Sequence, residues 1–214
     1  MQKGVIVMAN TVITIGRQFG SGGKEIGQKL ADRMNIPCYD KELLDKAAKD
    51  SGLCKEIFES NDEKHNASFL YSLVMDTYSL GYTSSVYSDM PLNQKVFLAQ
   101  YDAIKKLAKE GSCVIVGRCA DYALENYKGL LSVFIHSDME KRIQRIMKVR
   151  DLNAKKAKEL IIKTDKQRSS YYNYYSSKQW GVASSYQICL DSGVLGIEDC
   201  VNLLEQAVKI RFGK

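Results

Sequence analysis

The sequence predicts an α/β fold, a parallel sheet of five strands with helices covering both faces. Three observations carry that expectation. Short apolar runs rich in Val and Ile recur along the chain, and stretches with apolar residues at helical spacing separate them. The apolar runs are continuous rather than alternating, as in strands buried on both faces and joined through helices.

The elements follow in order. "TVITIG" (11–16) is the first strand; it enters a glycine-rich turn and then an amphipathic helix over 23–34. "IPCYD" (36–40) is a short second strand. Residues 41 to about 110 form a long, mostly helical excursion without a strand pattern, ending in a helix over 93–109 that aligns Phe97, Tyr101, Ile104 and Ala108. "SCVIVG" (112–117) and "LLSVFIH" (130–136) are strands three and four, with another helix beginning near Asp138. Residues 164–187 are polar, basic and tyrosine-rich without clear periodicity, which predicts a long functional loop or lid. "SYQICLD" (185–191) is the fifth strand, and a last helix over about 197–210 aligns Ile197, Val201, Leu204 and Val208. The expected organisation is one domain over 1–214, with a core at about 11–40 and 111–214. The helical insertion spans about 41–110 and the lid about 164–187. Ligands of such sheets bind at the carboxyl ends of the strands, here the turns after Ile15, Tyr39, Val116 and Ile135.

Composition narrows the function classes. With 214 residues, 45% hydrophobic and 26% charged, the chain reads as an ordinary globular protein able to bury a core. No apolar run approaches the roughly 18 residues of a membrane span, and the N-terminus lacks the apolar region of a signal peptide, so a cytoplasmic protein without membrane contact is expected. The six cysteines form no C-x-x-C pair and several lie in apolar runs, as reduced core thiols do. His65 and His136 stand alone, so no protein metal cluster is expected. The net charge of +6 suits an anionic small molecule at least as well as nucleic acid, and no nucleic-acid signature appears.

The turn "GRQFGSGGKEIG" admits three readings. It is a tight turn, a dinucleotide loop or a mononucleotide phosphate loop. A strand–loop–helix aims backbone N–H groups and the helix's partial positive charge at a phosphate, and Gly20, Gly22 and Gly23 allow the close approach. For the dinucleotide reading, "GRQFGSG" matches G-x-x-x-G-x-G, with Asp40 twenty residues after Gly20. The pairs Tyr101/Lys105 and Tyr174/Lys178 supply the Y-x-x-x-K spacing of a short-chain NAD(P)-dependent dehydrogenase. The helical excursion after strand two breaks the rhythm that fold requires. For the mononucleotide reading, G-x-x-x-x-G-K-[ST] is not matched literally, since Gln18 lies five residues before Gly23. However, "GSGGKEIGQKLA" aligns without a gap to loops of the type "GSGKSTVAKALA". Gly23 then occupies the lysine position and Lys24 the Ser/Thr position.

Five segments extend that match: "ITIGRQFGSGGKEIGQKLA", "IPCYDKELLDKAA", "CVIVGRCADYAL", "DKQRSSYYNYYSSKQWG" and "YQICLDSGVLGIEDCVNLL". By these the chain resembles the cytidylate kinase-like family of P-loop nucleoside monophosphate kinases, in which the Gly-Gly-Arg/Lys-Glu loop is common. The resemblance implies a three-layer P-loop NTPase-type fold with a helical monophosphate-binding insertion and a lid. It implies transfer of the ATP γ-phosphate to CMP or a related small acceptor, with ATP and Mg²⁺ as cofactors and small-molecule nucleotides as partners. Gly20, Ser21, Gly22, Gly23, Lys24 and Glu25 would bind the ATP phosphates. Arg118 would grip the acceptor phosphate, Asp40 would open the monophosphate site or cap the helix that follows, and Asp165 would join them from the lid. Arg168 of the lid, with Lys24 or Arg17, would supply the catalytic positive charge that Gly23 lacks. Arg142 and Arg145 share a helix face, either solvated or turned to the phosphates. Tyrosines 171, 172, 174, 175 and 186 with Trp180 either stack on a base or pack the lid. The rival reading is a nucleotide- or phosphate-binding protein with a degenerate loop and little or no kinase activity.

Overall fold

Strands and helices alternate along the described residues, and helical crossovers of this kind make a sheet parallel. The computed structural model describes residues 10–40 and 92–213. Among them the chain runs β1 (Val12–Arg17), α1 (Gly23–Met34), β2 (Cys38–Tyr39), α2 (Leu92–Glu110), β3 (Cys113–Val116) and α3 (Ala120–Ala123). It continues through β4 (Leu130–His136), α4 (Met139–Arg150), α5 (Ala154–Ser176), β5 (Ile188–Asp191) and α6 (Ser192–Phe212). The expected insertion over 41–91 lies outside the described residues; its closing helix, α2, lies inside them.

The five strands stand in the order β2-β3-β1-β4-β5. All four pairings are parallel, with Ile15 beside Val116 of β3 and Arg17 beside Ile135 of β4. The turns after β1 and β3 therefore open side by side at the carboxyl end of the sheet. This order removes the dehydrogenase reading. A dinucleotide fold seats the second strand next to the first, whereas here β3 stands between β1 and β2.

The period of two along each strand divides the core into two sides. Ile13 and Ile15 of β1, Val114 and Val116 of β3, and Val133 and Ile135 of β4 pack against Ile26 and Leu30 of α1 and Val201, Leu204 and Val208 of α6. Val12, Ile115 and Leu130 face the other way, onto Ile104 and Ala108 of α2 and Ala120 and Ala123 of α3. Each such aliphatic side chain, fully buried, contributes about 1.5–3 kcal/mol. The expected stripe on α2 is present, with Phe97, Ile104 and Ala108 buried. Cys38, Cys113, Cys119 and Cys200 are buried free thiols and Cys189 is partly exposed.

Two expectations need correction. Residues 164–176 are not a loop, because α5 continues unbroken to Ser176. Its periodicity was obscured because the buried positions change character along the helix. Ala157 and Ile161 pack on Ile146 and Phe19, whereas further along the buried face is made of Tyr172 and Ser176. The last helix starts earlier than its apolar stripe. Asp191 caps it by accepting from the N–H groups of Gly193 and Val194 at 2.8 and 3.4 Å, and Gly196, at φ 80°, breaks the helix before the regular run begins.

Candidate phosphate-binding site

The loop between β1 and α1 is held in shape from three directions. From below, the Gln18 N–H donates to Ile135 O at 3.0 Å, and the Ser21 hydroxyl lies against Gln18 O and Ile135 O at 2.9 and 3.1 Å. From the α6 side, the Ser192 hydroxyl donates to Ser21 O at 2.6 Å. From α5, Asp165 accepts the Phe19 N–H at 2.7 Å through one oxygen and the Arg142 guanidinium at 2.5 Å through the other. Gly22 forms the N-cap of α1 at φ 79°, where any Cβ would collide with Ile197. Among the described residues no backbone carbonyl or side chain accepts from the N–H groups of Gly20, Gly22 or Gly23. These amides stand at a helix N-terminus, where roughly half a positive charge collects. Such an arrangement can cradle an anion.

Positive side chains converge on that cradle. Arg17, the last residue of β1, is partly buried. Burial first, then the nearby Arg168 and Arg118, pull its pKa from 12.5 down to about 9, with Asp40 opposing. The Arg168 guanidinium donates to Arg17 O at 3.1 Å and lies over the Phe19 ring, 5.5 Å from its centre. Its pKa is lowered too, mainly by burial. Arg118 is presented by a left-handed turn in which Gly117, Arg118 and Cys119 all have positive φ, at 84°, 61° and 54°. Such backbone costs about 1–3 kcal/mol per non-glycine residue, and it persists at sites where the surroundings over-determine it. The sheet order explains the convergence: β1 and β3 are neighbours, so Arg17 and Arg118 leave adjacent strand ends.

The expected site residues fall into two groups. Gly20, Gly22 and Gly23 form the cradle, and Arg17, Arg118 and Arg168 gather beside it. Lys24 instead turns to Asp40, with Nζ 2.6 Å from the carboxylate. Glu25 pairs with Arg145 of α4, and Lys29 lies 3.8 Å from it. The Ser21 hydroxyl is buried against carbonyls, so it shapes the loop rather than offering a metal ligand. Asp165 is engaged by the Phe19 N–H and the Arg142 guanidinium.

Sequence reasoning missed the buried Arg142–Asp165 pair. The shared face of Arg142 and Arg145 was visible, but their partners lie on α5 and α1. It also left the tyrosines open, and the structure packs all of them but Tyr174, which is exposed. Tyr175 stacks on Phe97 of α2 with ring centres 4.3 Å apart, and the Tyr171 hydroxyl donates to Gln100 at 2.9 Å. Tyr172 donates to the buried carboxylate of Asp121 at 2.5 Å, tying α5 to α3. Burial raises the Asp121 pKa against the lowering effect of that bond.

Among the described residues no group of three His, Cys, Asp or Glu side chains is placed to hold a metal ion. Nor is any helix there long and apolar enough to cross a membrane. A magnesium ion would fit only as one carried by nucleotide phosphates and water.

Comparisons with known proteins agree with this geometry. Residues 12–194 match the model of the cytidylate kinase-like family. An uncharacterized protein from Eubacterium ventriosum is 30% identical with a TM-score of 0.71, the match covering 94% of this chain and 99% of that one. A shikimate kinase from Bacteroides thetaiotaomicron is 15% identical with a TM-score of 0.51, covering 94% and 99%. TT1252 from Thermus thermophilus is 15% identical with a TM-score of 0.54, covering 94% and 97%. At that identity the last two show the fold alone, a P-loop kinase-type sheet and its helices. None of the curated proteins compared matches the chain.

Proposed function

Because the chain belongs to the cytidylate kinase-like family, we propose that it is an ATP-dependent nucleoside monophosphate kinase, with CMP the leading acceptor. The observation that carries this reading is the gathering of Arg17, Arg118 and Arg168 beside an amide-lined loop at adjacent strand ends. A site that only bound one phosphate would need the cradle and a cation. A site that transfers a phosphoryl group needs positive charge on both sides of the moving phosphorus.

In this reading the amides of Gly20, Gly22 and Gly23 hold the donor's phosphates. Arg118 holds the acceptor on the β3 side, and Arg168 closes over the transferring group as part of a lid formed by α5. Magnesium carried on the ATP phosphates would supply further neutralising charge there. An acceptor oxygen forms a bond to the γ-phosphorus while the bond to the β,γ-bridging oxygen breaks, and that electron pair leaves with ADP. A monophosphate acceptor presents an ionised oxygen, so no general base is required. This suits a site around which carboxylates are engaged, Asp40 by Lys24, Asp165 by Arg142 and Asp121 by Tyr172.

Gly23 in place of the lysine favours the second reading, a nucleotide binder that transfers little or nothing. Incubation with ATP, Mg²⁺ and a panel of nucleoside monophosphates, read by ADP release, separates the two. Turnover with CMP or a related monophosphate is expected. Tight ATP binding without turnover on any acceptor would overturn the kinase reading and leave the binder.

A further inference from the structure

Resting on the kinase reading and deepening it, we propose that Arg17 replaces the missing loop lysine, so that the cation on the donor's terminal phosphate comes from β1 rather than from α1. The geometry makes the two side chains mutually exclusive. A Cβ on Gly23 would stand 2.5 Å from Cβ and 3.1 Å from Cγ of Arg17, and 3.3 Å from Cβ of Ile135. Real Cβ atoms do not approach another carbon that closely, so a lysine at 23 and an arginine at 17 cannot both keep this backbone. The absence of a side chain at Gly23 is what lets the Arg17 stem leave the strand end.

A second glycine, far away in sequence, clears the rest of the same path. A Cβ on Gly117 would collide with Nη1 of Arg17. The guanidinium therefore rests over the end of β3, immediately before Arg118, having started at the loop. It spans the interval between the phosphate cradle and the acceptor arginine. A terminal phosphate on its way from one to the other must occupy that interval.

Lys24, the rival for the role, is held elsewhere. Its ammonium is on Asp40 at 2.6 Å, at the end of β2. Arg17 meanwhile has Arg168 and Arg118 as its close charged neighbours, with Asp40 the opposing charge. An incoming phosphate would add negative charge beside these three guanidinium groups. Arginine also brings what a lysine does not, a planar fork that can bond two phosphate oxygens at once.

Calorimetric titration of the full-length protein with ATP and with ADP, each with Mg²⁺, tests the assignment through the ratio of the two affinities. Arg17→Gln is expected to lower ATP affinity by about tenfold or more, as loss of a charged hydrogen bond does, while changing ADP binding little. Lys24→Gln should leave the ratio near wild type. Gly23→Lys alone should weaken ATP binding through the clash, and the double exchange Arg17→Gly with Gly23→Lys should regain ATP preference relative to Arg17→Gly alone. Circular dichroism checks folding, and Arg17→Met serves where the glutamine variant does not fold. An unchanged ATP-to-ADP ratio in the Arg17 variants would overturn the inference. So would loss of the ratio in Lys24→Gln instead, wild-type ATP affinity in Gly23→Lys, or no nucleotide binding by the wild type. If ATP binds but no acceptor turns over, the kinase reading fails and the ratio still decides Arg17. If turnover occurs and Arg17→Gln keeps the ratio, the kinase reading stands and this inference falls.

Discussion

Asp165 and Arg168 lie three residues apart on one helix face, and the structure sets them to different tasks. Asp165 joins the loop backbone at Phe19 to the buried guanidinium of Arg142. Removing the carboxylate leaves that cation buried without its partner. Asp165→Ala is therefore expected to cost about 3–5 kcal/mol, read as a lowered urea midpoint. Adding Arg142→Met should recover most of the loss, because it removes the stranded charge with the carboxylate. Among the described residues Arg168 donates to a carbonyl, Arg17 O, and lies over the Phe19 ring, while Asp165 keeps Arg142 as its ion-pair partner, so truncating Arg168 strands no buried charge. Arg168→Ala is expected to lower kcat by about a hundredfold or more, in the range seen for a lost transition-state donor, with ATP affinity little changed. Steady-state kinetics beside a direct binding titration would show the split, and unchanged turnover would remove Arg168 from the mechanism.

At the level of elements, strand positions were legible in the sequence and the partners of the helices were not. Continuous apolar runs mark buried strands wherever they pair, so all five appeared before any pairing was known. The sheet order, and with it the meeting of Arg17 and Arg118, depends on crossovers that no local pattern records. The α5 helix was hidden because its buried face turns from Ala157 and Ile161 to Tyr172, whose value lies in a hydroxyl bonded to Asp121. That link makes a pH expectation. Burial raises the folded-state pKa of Asp121 above the unfolded value. The native state then binds more protons than the unfolded state between those two values, and stability falls as pH rises through them. Asp121→Asn keeps an acceptor for Tyr172 but cannot ionise. Its stability advantage over wild type should be smallest near pH 4 and grow with pH until the raised pKa is passed. Chemical denaturation at a series of pH values would measure that difference, and a gap that does not vary with pH would contradict the account.

Across the whole molecule, three of the arginines come together at the strand ends. The net charge of +6 is modest for 214 residues. Yet three guanidinium groups gather near adjacent strand ends, and burial first, with neighbouring arginines adding to it and Asp40 and Asp165 opposing it, lowers the pKa values of Arg17 and Arg168. The ligand-free protein therefore carries a local repulsion that an anion relieves, and a ligand bound only by the folded state stabilises it by mass action. At a concentration one hundred times its Kd, ATP should add about 2.7 kcal/mol. For a chain of this length that corresponds to a rise in Tm of about 5–11 °C in a thermal scan. Arg17→Gln removes one of the crowded cations, so its ligand-free Tm should equal or exceed that of the wild type. Its ATP-induced rise, at the same ATP concentration, should shrink. A site that trades stability for function gives that opposite pair of shifts. A merely structural arginine would lower the ligand-free Tm and leave the rise intact, so the two scans separate the roles without any assay of turnover.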